Sequence, residues 1–430
     1  MSTSQIGLTM GSGGTLARAA DADRLTAVEK IAAAVCVVSP FRIFLNEFLH
    51  VDLHLGVISF AILSIAGAIT VRDRPAGFPT GLDVAMLGFA AISIADFTLL
   101  TGPTPLATKG LVVEGRFVFF YFVARVLGLR GQFAGWLCAA MAVIGIAEAV
   151  VGALEYHLAW GTLLRLCDRT WTPSFWKMGL PRLYSFAMDP LGVGYLFVFA
   201  LAGCAYLASA QRLRLVAVIG LFAIWQALPL TLSRAPLALA LLMTAALPFF
   251  DRRRGLWFVE VSLCAIVAAG LVFVLRGWNQ PLSEYAEVGG TLADTSAVVH
   301  GSALRSGLGG IWEQPLGYGF GEAGLVAIVG GGTFPTNETY YVTLGLQMGI
   351  PGVACFLAIV AATGMMWLSH LRSTSRERRA LGYAGGAIWF TLLAGGLFSG
   401  SWTILVPQFF FWLLTGAAAN QQATAGMDAS

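Results

Sequence analysis

The chain has 430 residues, of which 57% are hydrophobic and only 11% are charged. Soluble domains carry about 25% charged residues, so this composition excludes an ordinary soluble fold. The net charge is only +3, with a mean hydropathy of +0.76. The basic residues cluster at the ends of apolar blocks, which argues against nucleic-acid binding. The composition therefore predicts a membrane protein.

The first segment, 1–26, is polar and rich in glycine and serine, and it lacks the apolar core of a signal peptide. We interpret it as a disordered cytoplasmic tail. Apolar blocks then alternate with short polar stretches, without the alternation of barrel strands. About 20 apolar residues cross a bilayer as a helix. We therefore predict an all-α polytopic membrane protein of about 12 transmembrane helices. The predicted spans are 27–45, 51–71, 82–100, 111–128, 133–155, 190–209, 214–232, 235–250, 256–275, 339–369, 380–399 and 402–419.

Basic residues fall in alternate connections between these spans. They are Arg18, Arg24, Lys30, Arg72, Arg74, Arg125, Arg130, Arg212, Arg214, Arg252, Arg253, Arg254, Arg372, Arg376, Arg378 and Arg379. Lys and Arg accumulate in cytoplasmic loops, so these connections are predicted to be cytoplasmic. An even number of spans then places both termini in the cytoplasm. The long loops 156–189 and 276–338 face outward, 27–420 forms a single transmembrane domain, and 421–430 is a second cytoplasmic tail.

The outer loop 276–338 is too long for a simple connection. Its segment 297–312 has the apolar spacing of a helix, and glycine clusters after it predict tight turns. The larger outer loop is therefore predicted to be partly helical. Among the six cysteines, only Cys167 falls in an outer loop, so neither a disulfide framework nor a metal-binding pattern is visible.

Three outer arginines are candidates for binding an anion. Arg234 lies at a break between two apolar runs, and Pro236 suits the first turn of a helix whose amides would favour a phosphate. The alternative is an arginine whose side chain snorkels from a span end to the interface. Arg305 lies in the helix-compatible part of the large loop, where an ordinary solvated charge is the alternative. Arg182 precedes Asp189, which has the sequence context of a helix N-cap; the role of Arg182 itself stays open.

Two residues are candidates for a general base. A partly desolvated Glu338 at the mouth of the span 339–369 would have a raised pKa, but it equally suits a helix N-terminus. His300 lies five residues before Arg305 and is a second candidate, although an exposed loop histidine is the commoner case. Glu114 and Arg116 share a span but face different directions, and we expect each to pair with another helix.

Several short motifs, taken together and in order, resemble the superfamily of O-antigen ligases and O-antigen or exopolysaccharide polymerases. They are LSRA at 232–235, Arg305 with EQPLGYGFG at 313–321, NETYY at 337–341 and LQMGIPG at 346–352, with 182–190 as a weaker element. The resemblance covers roughly residues 180–370 and the predicted arrangement of spans.

This resemblance implies a metal-independent, inverting glycosyltransferase of the bacterial inner membrane, without a cofactor. Its donor would be an undecaprenyl-pyrophosphate-linked glycan on the periplasmic side. Arg182, Arg234 and Arg305 would bind the pyrophosphate, and Glu338 or His300 would act on the acceptor glycan. Membrane lipids and a chain-length regulator are further expected partners.

One departure from the family pattern bears on the reaction. Ligases usually carry a His-Asn pair where this chain has Thr336 and Asn337. We therefore expect a polymerase that joins repeat units, with a ligase that transfers polymer to a lipid A core or another acceptor as the alternative. A polysaccharide-related transporter or flippase is the alternative from another class, but the two halves show no repeated placement of charges.

Overall fold

The computed structural model is a bundle of helices. It describes residues 26–41, 45, 48, 79–158, 161–166, 176–177, 180–186, 189–210, 213–275, 295–334, 339–397 and 399–427. The helices before the first long loop are α1 (Ala27–Val38), α2 (Gly81–Asp96, continued by a π-helical turn Phe97–Thr101), α3 (Pro105–Val126) and α4 (Gly131–Leu158). A short helix α5 (Thr162–Leu166) and two antiparallel strands, β1 (Trp176–Lys177) and β2 (Leu180–Pro181), follow.

The remaining helices form most of the bundle. They are α6 (Pro190–Ala210), α7 (Arg214–Ala227), α8 (Arg234–Phe250), α9 (Arg252–Leu275), α10 (Thr295–Glu313), α11 (Gly324–Gly330), α12 (Tyr340–Leu371), α13 (Arg376–Gly395) and α14 (Leu405–Met427). Short 3-10 helices occupy Ser39–Phe41, Pro229–Thr231 and Ser401–Thr403.

The predicted spans correspond to helices wherever the structure describes them, and the span 51–71 lies outside the described residues. Among the described residues, six helical segments are long and apolar enough to cross a membrane: Gly81–Thr101, Gly131–Leu158, Pro190–Ala210, Arg214–Thr231, Arg252–Val272 and Tyr340–Leu371. Arg234–Phe250 is a shorter apolar helix. The prediction of an all-α membrane protein is confirmed at this level.

The segment 421–430, predicted as a tail, begins as a continuation of α14, which runs to Met427. Asn420 explains part of this extension. Its side-chain amide donates to the backbone oxygens of Ala124, at 3.0 Å, and Leu129, at 3.1 Å. These bonds hold the end of α14 against the end of α3.

The helix α6 lies at the centre and packs against α4, α7, α8 and α13. Small residues permit this close packing, as is common between membrane helices. A Cβ on Gly145 would lie 2.1 Å from the Cβ of Ala200, and one on Gly203 would lie 2.5 Å from the backbone oxygen of Cys138. By contrast, α2 and α9 expose apolar side chains such as Ile94 and Val267, as helices at a lipid boundary do.

The bundle has two distinct ends. At the Asp83 end, which we define by the bidentate pair of Asp83 with Arg125, the chain also places the basic segments beginning at Arg214, Arg252 and Arg376. The opposite end, which we define by Ser233 and call the Ser233 end, holds the start of α8 and α12 and the described parts of the two long loops. The described basic connections therefore share one end of the bundle, whereas Arg18, Arg24, Arg72, Arg74 and Arg212 lie outside the described residues.

Candidate functional site

The break before α8 has an unusual backbone. The 3-10 helix Pro229–Thr231 ends at Leu232, which adopts a left-handed conformation with φ of 48°. Ser233 is extended, and α8 begins at Arg234 with Pro236 in its first turn, as the sequence predicts. A non-glycine residue with positive φ is uncommon, so surrounding contacts must hold this turn.

Arg182 supplies those contacts. Its Nε donates to the backbone oxygen of Thr231 at 2.8 Å, and its Nη2 donates to the hydroxyl of Ser233 at 2.6 Å. The backbone N–H of Leu183 also donates to the oxygen of Leu230 at 2.8 Å. The structure therefore joins Arg182 to the residues immediately before Arg234, and both arginines are only partly buried.

The segment after Arg182 is anchored to α4. Ser185 has φ of 47°, and its hydroxyl donates to the backbone oxygen of Glu148 at 3.0 Å. The N–H of Phe186 donates to a carboxylate oxygen of Glu148 at 3.1 Å. These two bonds fix the loop that carries Arg182 on a membrane helix, and Glu148 is fully buried.

Tyr184 makes a second attachment to α4. Its hydroxyl donates to the carboxylate of Glu155 at 2.7 Å, and the N–H of Leu163 donates to the same oxygen at 3.1 Å. Burial raises the pKa of Tyr184, so the hydroxyl remains a donor across the physiological range. Asp189 caps α6, because its carboxylate accepts from the N–H groups of Leu191 at 3.1 Å and Gly192 at 2.8 Å.

The glycine-rich segment 317–321 packs against a kink in α12. The N–H groups of Tyr318 and Gly319 donate to the backbone oxygens of Leu346 and Gln347 at 2.7 and 2.9 Å. The kink lies at Gly349, where φ is 65°. Two of the sequence segments that suggested the family resemblance are therefore bonded to each other.

A polar cluster within the bundle supports this contact. The side-chain amide of Gln347 donates to the backbone oxygen of Ala323 at 3.1 Å and lies 3.4 Å from a carboxylate oxygen of Glu114. Arg116 donates to the side chain of Gln408 at 2.6 Å and to the backbone oxygen of Thr403. Glu114 and Arg116 thus have partners on other helices, as expected. Gln347 entered the sequence analysis only as part of the motif at 346–352 and not as a candidate site residue, although a glutamine inside an apolar span is a visible signal.

The end of α13 connects the two groups of contacts. The hydroxyls of Tyr195 on α6 and Ser399 after α13 are hydrogen-bonded. A few residues away, the backbone oxygen of Gly396 accepts from the N–H of Tyr340 at 2.9 Å. Pro236 packs on Gly194, next to Tyr195. The start of α8 and the start of α12 consequently belong to one contiguous region.

The predicted site residues are distributed unevenly over this region. Arg182 bonds to the turn that immediately precedes Arg234. Arg305, by contrast, is exposed on α10. That helix packs along α12, with Gly307 against Val342. The backbone of His300 lies in α10, as predicted, and Glu338 lies outside the described residues. The structure thus places two of the three arginines at one turn of the backbone, and among the described residues it shows no hydrogen bond from Arg305 to either of them.

Arginine presents a planar fork of donors suited to phosphate, so two arginines at one turn have the chemistry to bind an anion. The described residues contain no group of three or more His, Cys, Asp or Glu side chains that could hold a metal ion. No protein-family model matches the chain, and no curated protein gives a significant match.

Proposed function

We propose that the chain is a glycosyltransferase of the bacterial inner membrane that polymerises undecaprenyl-pyrophosphate-linked repeat units into O-antigen or exopolysaccharide. The observation that supports this most is the bonding of Arg182 to the break that starts α8 with Arg234. Two arginines at one helix start, next to an apolar bundle, suit a lipid whose head group is a pyrophosphate.

The proposed topology has about 12 spans, both termini in the cytoplasm and the Ser233 end in the periplasm. The grouping of basic segments at the Asp83 end supports it, because the positive-inside rule then assigns that end to the cytoplasm. Reporter fusions at both termini and in the loops 156–189 and 276–338 test it. A reporter active only in the periplasm should be silent at both termini and active in both loops.

In the proposed reaction, the acceptor hydroxyl oxygen attacks the anomeric carbon of the donor glycan. The new glycosidic bond forms as the bond from that carbon to the pyrophosphate oxygen breaks, with inversion of configuration. Glu338 or His300 takes the acceptor proton. Arg182, Arg234 and Arg305 stabilise the negative charge that develops on the leaving undecaprenyl pyrophosphate. Because the guanidinium groups supply this charge stabilisation, a chelator should leave the rate unchanged.

Analysis of lipid-linked glycans in a deletion strain separates polymerase from ligase. Loss of a polymerase should leave single repeat units and no long chains. If long chains instead accumulate on undecaprenyl pyrophosphate without reaching their acceptor, the chain is a ligase. Normal long chains on their normal acceptor would refute both. A flippase would not release undecaprenyl pyrophosphate when the purified protein is given the donor and an acceptor.

A further inference from the structure

A cavity of about 430 Å³ opens at the Asp83 end, across the bundle from the proposed glycan site. Its walls come from the last turns of α6, the starts of α7 and α9, and the side of α13. The polar residues that line it are Ser209, Arg214, Asp251, Arg253, Arg254 and Tyr383.

The charges of this lining are unbalanced, because three arginines face one carboxylate. Asp251 is already engaged: its carboxylate lies 3.3 Å from Nε of Arg254 and accepts from the backbone N–H of the same residue at 3.2 Å. Arg214 and Arg253 have no carboxylate partner in the described part of the chain. The cavity therefore retains an excess of positive charge.

Two buried hydroxyls give independent support for a ligand. Ser209 and Tyr383 are each only 2% exposed. Neither hydroxyl has a hydrogen-bond partner among the described residues. Buried polar groups rarely lack a hydrogen-bond partner. A hydroxyl that lines a basic cavity can donate a hydrogen bond to an anionic oxygen.

We propose that this cavity binds a phosphate group, carried by an anionic phospholipid or present as free phosphate. Guanidinium forks and hydroxyl donors match the several acceptor oxygens of a phosphate. The other wall of the cavity includes Trp257 and Phe258, and indole rings favour the membrane interface. Basic pockets between helices are a known way to hold lipid head groups. The proposal depends on this cavity alone and is independent of the glycan-transfer reaction.

The test uses the full-length protein purified in phosphatidylcholine nanodiscs. One arm adds phosphatidylglycerol and measures retained lipid by native mass spectrometry. The other arm adds inorganic phosphate and measures protection against thermal unfolding. Saturable binding of the lipid alone identifies a lipid head-group site, and protection by phosphate identifies a site that accepts the free ion. If the lipid does not bind saturably and phosphate does not protect against unfolding, the proposal is wrong.

Variants locate the binding. The double substitution Arg214→Gln with Arg253→Gln leaves the pair of Asp251 and Arg254 intact and should weaken binding at least about tenfold. Arg252→Gln is the matched control, because Arg252 starts the same helix but does not line the cavity. Equal weakening by the control, or none by the double variant, would refute the site. If the double variant misfolds, Tyr383→Phe with Ser209→Ala tests it in the same way and should also weaken binding.

Discussion

The guanidinium of Arg182 donates a 2.6 Å hydrogen bond to the hydroxyl of Ser233, 51 residues further along the chain. This bond joins the end of the loop 156–189 to the turn from which α8 begins. Because Arg234 follows Ser233 directly, the bond places Arg182 next to the start of α8, where the second candidate arginine lies. The backbone therefore places Arg182 and Arg234 at the same turn.

Arg182→Lys should therefore impair both folding and function. Lysine keeps the charge but cannot donate from two fixed nitrogens to Thr231 and Ser233 at once. We expect a loss of about 1–2 kcal/mol in the free energy of unfolding, measured by thermal unfolding in detergent. The control is Arg165→Lys, because Arg165 is an exposed arginine of the same loop whose side chain bonds, among the described residues, to the nearby Thr162. An equal loss of stability in both variants would mean that the bond from Arg182 to Ser233 makes no particular contribution to stability.

Gly349→Ala should disrupt the contact between α12 and the glycine-rich segment. The residue has φ of 65°, and a Cβ there would lie 2.2 Å from the backbone oxygen of Pro315. Positive φ and a backbone clash together should cost several kcal/mol, on the order of 2–4. Gly309→Ala is the control, since a Cβ on that helical residue meets nothing within 4 Å. Wild-type stability of Gly349→Ala would show that the kink is not required.

Asp83→Asn should destabilise the Asp83 end. Asp83 and Arg125 have fully buried side chains, and the arginine donates to both carboxylate oxygens, at 3.0 and 2.9 Å. Removing one charge leaves the other unpaired, which costs about 3–5 kcal/mol in buried pairs.

Arg254→Gln provides the comparison for that pair. Asp251 and Arg254 are each 28% exposed, and such ion pairs contribute about 0–1 kcal/mol. Thermal unfolding of both variants in the same detergent should therefore separate them clearly. Similar midpoints would contradict the assignment of Asp83 and Arg125 as a structural pair.

Tyr184→Phe should loosen the loop that carries Arg182. The substitution keeps the ring and removes the donor to Glu155, leaving the N–H of Leu163 as the other donor to that carboxylate oxygen. We expect a loss of about 1–2 kcal/mol. Faster hydrogen exchange in residues 180–186 should accompany it. Tyr318→Phe is the control, because the described contact of that ring is with Phe334 and survives the change. Unchanged exchange in Tyr184→Phe would contradict this role.

Much of the fold followed from local sequence. The segment predicted as a helix at 297–312 is α10, Thr295–Glu313, and the capping role of Asp189 is confirmed. These features depend on apolar spacing and on residues a few positions apart. The long-range pairs could not be derived in this way. Glu114 and Gln347 are 233 residues apart, and no local pattern specifies which buried polar groups on separate helices will meet.

The same limit applies to the site. Composition and spacing singled out Arg182, Arg234 and Arg305, but they could not tell which of them share a surface. The contact of Arg182 with Ser233 depends on the packing of a loop against the break between α7 and α8. The packing of the glycine-rich segment 317–321 likewise depends on the kink at Gly349, which no local pattern specifies.

The central claim is best tested by glycan transfer with purified protein, a synthetic undecaprenyl-pyrophosphate-linked repeat unit and no added metal. The wild type should release undecaprenyl pyrophosphate and form longer chains. Arg234→Ala and Arg305→Ala should each abolish this activity while retaining wild-type thermal unfolding, and Arg165→Ala should remain active. Full activity in both Arg234→Ala and Arg305→Ala would contradict the account.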